Sequence, residues 1–347
     1  MHEGIRAGRA PGGVPAGEPI TSASGPRGRK KGSGRAGGGK PLRPRDFVED
    51  RRGWLYSVAA YDNADRVGCV LRYVPDSSGD RVNPEGTRCR KIDFEESFRL
   101  VGDEEPSYLE DVLRIPRGAI TRVYKPEERL AFCAARDPRV AELVDIFSLP
   151  AGSLGCTGSR LLGLECPSSD IDLVVYGRAF FRAREILREA VGCGRVDGLS
   201  PEMWRTIYAK REPEIPFPAF LLHEQRKWNR GEIGGTYFDL LYTRSYDDLD
   251  GAATLRGKRI GKRTLEARVT DATHSYDTPA SYLVDHGEVS RILSFTHTYS
   301  GQALGGETVE ACGVLEEHGD ELWLVVGTTR TARGEYIVSR TLLEEQG

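Results

Sequence analysis

The chain has 347 residues, 39% hydrophobic and 29% charged, with a formal net charge of −3. That length suggests about two or three domains with real cores. No apolar run approaches the ~20 residues of a bilayer-crossing helix, and the seven cysteines and six histidines form no C-x-x-C or H-x-x-x-H pair. The composition therefore argues against a membrane partner, a disulfide frame or a zinc site, and for reduced thiols in a cytoplasm.

Charge is unevenly spread. Residues 1–45 carry ten Lys and Arg against two acids, and the remainder is net −11. This Gly-, Arg- and Pro-rich tail has almost nothing apolar and is expected to be disordered; a basic tail on an acidic body also suits contact with nucleic acid. Within it, Gly34 to Pro41, "GRAGGGKP", comes close to a phosphate-binding loop. Pro41 lacks the hydroxyl that Mg²⁺ needs and no strand precedes it, which rules the motif out.

Residues 46–125 read as a small α+β module. "GWLYSVAAY" (53–61) and "RVGCVLRYV" (66–74) are β-like runs joined by Asp62-Asn63-Ala64-Asp65, a hairpin signal. Asp93, with Glu96 three residues on, predicts a capping box for a short helix, and "ITRVY" (120–124) predicts a strand. Over 126–250 the texture is mixed. A helix spans 126–136, and Asp137 caps a second with Pro138 in its first turn and Val140, Leu143, Val144 and Phe147 at helical spacing. "SLGCTG" (153–158) predicts a strand that runs into Gly158-Ser159, a brief helical stretch, a loop and the strand "DIDLVVY". Further helices are expected at 179–191, from Ser200-Pro201, and at 218–229. Gly234-Gly235 then turns the chain into a strand, "TYFDLLYT" (236–243). A basic linker, 251–263, leads to six short β-like runs over 264–347, which predict a small all-β barrel. An oligonucleotide-binding barrel, with His297 and Tyr299 on its nucleic-acid face, and a dimerisation or packing module fit these runs equally.

The chemistry gathers where acids interrupt apolar strands. Asp170 and Asp172 sit two apart and so share one strand face. Two like charges there must either share a proton or hold a divalent cation, for which Mg²⁺ with its preference for oxygen ligands is the natural candidate. Asp239, between Phe238 and Leu240, offers a third carboxylate; its plainer explanation is a buried acid paired with an arginine such as Arg226. Gly158 permits close approach of the backbone to a phosphate, and Ser159 and the following amides can donate to it. Arg160 and Lys227, and with them Arg226 and Arg230, are candidate triphosphate or acceptor contacts, each with a plainer reading as a solvated helix charge. Trp228 is a candidate base-stacking ring or a rim aromatic. Cys156 and Cys166 flank the site and read as packing, and Asp247, Asp248 and Asp250 as a solvated turn.

"GS" followed by "DID" and a later strand aspartate resembles the signature of the DNA polymerase β-like nucleotidyltransferase superfamily. More broadly, residues 46–345 look like a group of archaeal predicted nucleotidyltransferases that carry the phrase "GS…SDIDLVVYG". The resemblance implies an α+β protein with a nucleotidyltransferase domain and a Mg²⁺-dependent enzyme moving NMP from an NTP to an acceptor, most plausibly RNA. Gly158, Ser159, Arg160 and Lys227 would bind nucleotide; Asp170, Asp172 and Asp239 would ligate two Mg²⁺ ions, replaceable by Mn²⁺, and carry the catalysis. A protein or small-molecule acceptor, or a non-catalytic RNA-binding protein on the same fold, are the alternatives. The 66 residues between Asp172 and Asp239 depart from the simplest members.

Overall fold

Apolar alternation and turn residues divide the chain into three sheets. The computed structural model describes residues 40–110, 112–250, 256–329 and 332–345; most of the basic tail, and with it all but the end of the rejected phosphate-loop motif, lies outside them. Described residues from Pro41 onward belong to one compact unit, an α+β structure of three sheets and eight α-helices among the described residues. None of those helices is long and apolar enough to cross a membrane.

The first sheet is built from β1 (Phe47–Asp50), β2 (Leu55–Val58), β3 (Arg66–Pro75), β4 (Arg81–Val82), β5 (Arg88–Lys91), β6 (Leu113–Pro116) and β7 (Ile120–Tyr124), in the order β4-β5-β3-β2-β1-β7 with β6 beside β3. The expected hairpin is β2–β3. Helix α1 (Phe94–Glu104) starts at Asp93, whose carboxylate accepts from the Glu96 amide at 2.8 Å. Glu96 itself turns to Arg90, 2.7 Å away, so only half of the capping box forms. The fold also begins earlier than composition implies. Leu42 and Arg43 are buried, with the Arg43 guanidinium stacked 3.8 Å from Tyr176 and 3.6 Å from Tyr246. The expected tail boundary at residue 45 is therefore too late.

The second sheet, β10-β11-β9-β8, holds β8 (Leu154–Cys156), β9 (Ile171–Tyr176), β10 (Arg230–Ile233) and β11 (Thr236–Thr243). Strands β9 and β11 run parallel and the other pairs antiparallel. Around it lie α2 (Leu130–Arg136), α3 (Pro138–Phe147), α4 (Gly158–Leu162) and α5 (Ala179–Gly192). Ile171, Leu173, Val175, Phe238 and Leu240 pack with Leu143, Phe147, Phe180 and Leu187 into one core. Helices α6 (Pro201–Arg211) and α7 (Phe217–Lys227) face elsewhere: Trp204, Ile207 and Phe220 pack into the core of the third sheet.

That sheet comprises β12 (Lys258–Asp271), β13 (Ala280–Asp285), β14 (Val289–Ser294), β15 (Thr308–His318), β16 (Glu321–Val326) and β17 (Tyr336–Ser339), followed by α8 (Arg340–Glu345). The order β12-β13-β14-β16-β15 returns to β12, which closes a five-stranded barrel, with β17 added outside on β15. Strands β14 and β16 are parallel. Two expectations change. The second half of the basic linker is strand, because β12 starts at Lys258 and pairs with Glu317 and Glu316 of β15. The region is also not purely β, since α8 ends it.

Candidate active site

Register sets the site. In the parallel β9–β11 pair, Asp239 lies beside Asp172 and Phe238 beside Ile171. Neighbours in register share a face, so the carboxylates of Asp172 and Asp239 meet on the side away from the apolar core, with Asp170 just before the strand. The end of β8 abuts them, and the Thr157 amide donates to the Asp172 carbonyl at 2.9 Å. Gly158 has φ +68, and a Cβ there would stand 2.7 Å from Asp172 Oδ2. Only glycine meets both conditions. The Ser159 hydroxyl makes no hydrogen bond among the described residues. Helix α4 has only five residues, too short for much of a macrodipole, so the turn itself rather than a helix dipole faces the acids.

Asp170 and Asp172 have no hydrogen bond or ion pair to their carboxylates among the described residues. Burial, reinforced by the Asp239 charge, pushes Asp172 up to about 6, although Arg45 and Arg72 pull the other way. Burial also raises Asp170, against the opposing field of Lys210. Asp239 is placed differently. Arg230 Nε lies 2.8 Å from its Oδ1, and the Tyr237 hydroxyl donates to Oδ2 at 2.8 Å. The paired-acid explanation thus holds for Asp239, with Arg230 rather than Arg226 as the partner. Arg226 instead bonds Glu307 and the Gln302 carbonyl in the barrel.

Two candidate nucleotide contacts are committed to the fold. Arg160 is buried, 3.0 Å from Asp137 Oδ2, and donates to the carbonyls of Ser169 and Asp170. It braces the loop that presents Asp170 and does not project toward a ligand. Lys227 is buried against Glu224 and donates to the Thr298 carbonyl at 3.1 Å; burial and neighbouring arginines hold its ammonium well below the usual lysine range. Glu224 also takes Arg230 and Arg211, the latter at 3.3 Å. Trp228, 37% exposed, stands under Arg188, with 5.9 Å from the guanidinium to the ring centroid. Cys156 is wholly buried. Tyr299 is buried and accepts from the Glu214 amide at 3.1 Å, so it is no part of an open face. The backbone carbonyls of Asp248 and Asp250 accept from Arg244.

Cations from the first sheet, α6 and β10 lie around the acids. The fields of Arg45 and Arg72 act on Asp172 and those of Lys91 and Lys210 on Asp170, while Arg211 lies in the field of Asp239 and Arg230. His297 has open surface yet sits deep among Arg45, Arg211, Arg230 and Lys227; enclosure and those charges push its imidazole down to about 3. One sequence signal did exist for Arg72, a charge in the middle of the apolar run "VLRYV", the same anomaly that marks Asp172. Two surface cavities of about 380 and 460 Å³ lie elsewhere, beside Tyr108 and between α3 and α5.

The donors fit a hard divalent cation in part. Asp170 and Asp172 are oxygen ligands without a protein partner, which is what Mg²⁺ takes. Among the described residues, however, no three His, Cys, Asp or Glu side chains gather tightly enough to share one ion, since Asp239 is drawn to Arg230. The expected three-acid cluster is thus a free pair beside an engaged third acid.

Comparison of the whole chain with known proteins finds the uncharacterized protein MJ1086 of Methanocaldococcus jannaschii, 33% identical over 335 aligned positions that cover 85% of this chain and 98% of the relative. The chain belongs to the MJ1086 family. No family model matches it, and no solved structure does. In this member of the MJ1086 family, the acid pair and its glycine neighbour come from the second sheet and its turn, and the surrounding cations from the first sheet, α6 and β10.

Proposed function

We propose that the protein is a nucleotidyltransferase of the polymerase β-like type that moves a nucleoside monophosphate from an NTP to a hydroxyl of an acceptor, with RNA as the acceptor class. The observation that carries this reading is the unpartnered Asp170–Asp172 pair beside a glycine whose Hα side touches Asp172 Oδ2. Asp170 is exposed and Asp172 half-buried, neither carboxylate has a protein partner among the described residues, and two like charges so close disfavour each other's ionised form. The pair is explained if a cation arrives with the nucleotide. The cationic surroundings suit a polyanionic substrate, and the barrel, with its β12-β13-β14-β16-β15 closure and parallel β14–β16 pair, has the five-stranded form of oligonucleotide-binding folds.

Asp170 and Asp172 would hold Mg²⁺, for which Mn²⁺ is the substitute, and the bound ion would supply charge neutralisation at the α-phosphate. The protein's own residues do the rest. Gly158 lets a phosphate approach the backbone, and Ser159 offers a free hydroxyl donor. The acceptor oxygen forms a bond to the α-phosphorus while the bond to the β-phosphate breaks and pyrophosphate leaves. Asp239, as the remaining carboxylate on the face, is the group to take the acceptor proton. Its engagement with Arg230 and Tyr237 is the feature that favours the second reading, a non-catalytic RNA-binding protein.

Incubation with each α-³²P-labelled NTP, Mg²⁺ or Mn²⁺ and total cellular RNA tests both. Label entering nuclease-sensitive material, and its loss by at least 100-fold in Asp170→Asn and Asp172→Asn, is expected. RNA retention on a filter without transfer under any of these conditions would leave the second reading.

A further inference from the structure

Arg45 closes the entry segment of the first sheet, and its backbone is fixed on both sides. Its amide donates to the Val58 carbonyl at 2.9 Å, and its carbonyl accepts from the Thr157 hydroxyl at 2.7 Å, next to Gly158. Between those anchors its φ is +77, a region that disfavours any side chain and favours glycine. Its Nε is buried with no hydrogen-bond partner, and its guanidinium forms no ion pair among the described residues. The head nevertheless lies in the fields of Asp172 and Asp239. Strain and an unsatisfied buried donor are two separate costs at one position, and such costs concentrate at functional sites.

We propose that Arg45 is an anion clamp, whose guanidinium binds a phosphate group of the nucleotide over Asp172. The proposal rests on the nucleotidyltransferase reading and deepens it, since it gives the first sheet a place in the site. The planar guanidinium fork matches phosphate geometry. Arg72 of β3 and Lys91 of β5 add charge from the same sheet. That sheet is held on the site by Phe47, Leu55 and Tyr73 packed against Leu161, Leu162 and Leu164, directly after the Gly158-Ser159 turn. The enclosed Nε favours a compact polyphosphate over a nucleic-acid backbone, which runs along open surface.

The test is calorimetry of inorganic tripolyphosphate, without divalent cation, on the full chain and on Arg45→Gly, Arg45→Lys and Asp172→Asn, with thermal melts of each. Arg45→Gly relieves the backbone and should melt at or above the wild-type temperature while binding at least 10-fold more weakly. Arg45→Lys should be intermediate, and Asp172→Asn should bind at least as tightly as wild type. Unchanged tripolyphosphate affinity in Arg45→Gly overturns the clamp, and so does a melt well below wild type, which would make Arg45 structural. Loss of binding to a single-stranded RNA oligomer but not to tripolyphosphate overturns it as well, because the phosphate would then be that of RNA. If tripolyphosphate binds through Arg45 yet no NTP is transferred, the clamp stands and the transferase reading falls. Full NTP binding and transfer in Arg45→Gly gives the reverse.

Discussion

Asp172 costs the protein stability wherever it is ionised. Its folded pKa is raised to about 6, so the unfolded chain gives up this proton first as pH rises. The stability held below the ordinary aspartate pKa is lost between about pH 4 and 6 and stays lost above. Asp172→Asn is isosteric and uncharged. It should melt several degrees above wild type at pH 8 in EDTA, and the gap should shrink toward pH 4. A variant less stable than wild type at pH 8 would mean that the carboxylate has a partner. The acids were legible because a charge in an apolar strand breaks the pattern of that strand. Arg45, Lys91 and Lys210 were not, because they meet the acids only through tertiary packing, and nothing in their local sequence marks them. Arg230 was misread as a helix charge because β10 is a four-residue strand directly after α7.

The Asp137 cap shows how an element end serves the site. Its carboxylate accepts from the Arg139 amide at 3.0 Å, which starts α3, and pairs with Arg139 and Arg160, which hold it down to about 2. Arg160 in turn holds the carbonyls that precede Asp172. Asp137→Ala should therefore cost about 1–2 kcal/mol as a lost cap and also weaken Mn²⁺ binding, measured by denaturant melts and calorimetry. Asp137→Asn keeps the acceptor and should lose less stability. Equal cation affinity in wild type and Asp137→Ala would cut the link from cap to site. The cap, α3, β9 and β11 could be read from Pro138, helical spacing and strand alternation. The short β1 and β10 could not, since four residues give alternation little room. The charged start of β12 resembled a linker because its side chains from Lys258 to Thr264 are exposed.

The third sheet is tied to the other two by buried and part-buried polar contacts. Arg244 of the second sheet's exit and Tyr61 of the first both bond Asp277 of the third, at 2.5 and 2.6 Å. On α7, His223 accepts the Ser339 amide at 2.9 Å, tying the helix to β17. His223 is buried, and burial pushes its imidazole down to about 4. As pH falls from 6.5 to 4 the unfolded chain binds a proton that the native state refuses, so stability falls over that window by up to roughly 3 kcal/mol. His223→Gln should flatten that part of the stability profile; an unchanged slope between pH 6.5 and 4 would show that His223 is protonated in the native state. The chain order of a strand-rich first stretch, a mixed central stretch and a β-rich end was legible in composition and alternation. Helices α6 and α7 packing on the barrel were not, because an apolar stripe does not say which sheet it will meet.

Whether Asp170 and Asp172 take up a divalent cation together with a nucleotide is decided by Mn²⁺ titration followed by electron paramagnetic resonance, with and without NTP. Wild-type protein with NTP should suppress the free-ion signal beyond NTP alone, and Asp170→Asn and Asp172→Asn should each abolish that extra suppression while remaining folded. Equal suppression by wild type and both variants, or none by correctly folded wild type, would rule out a cation site at these two acids.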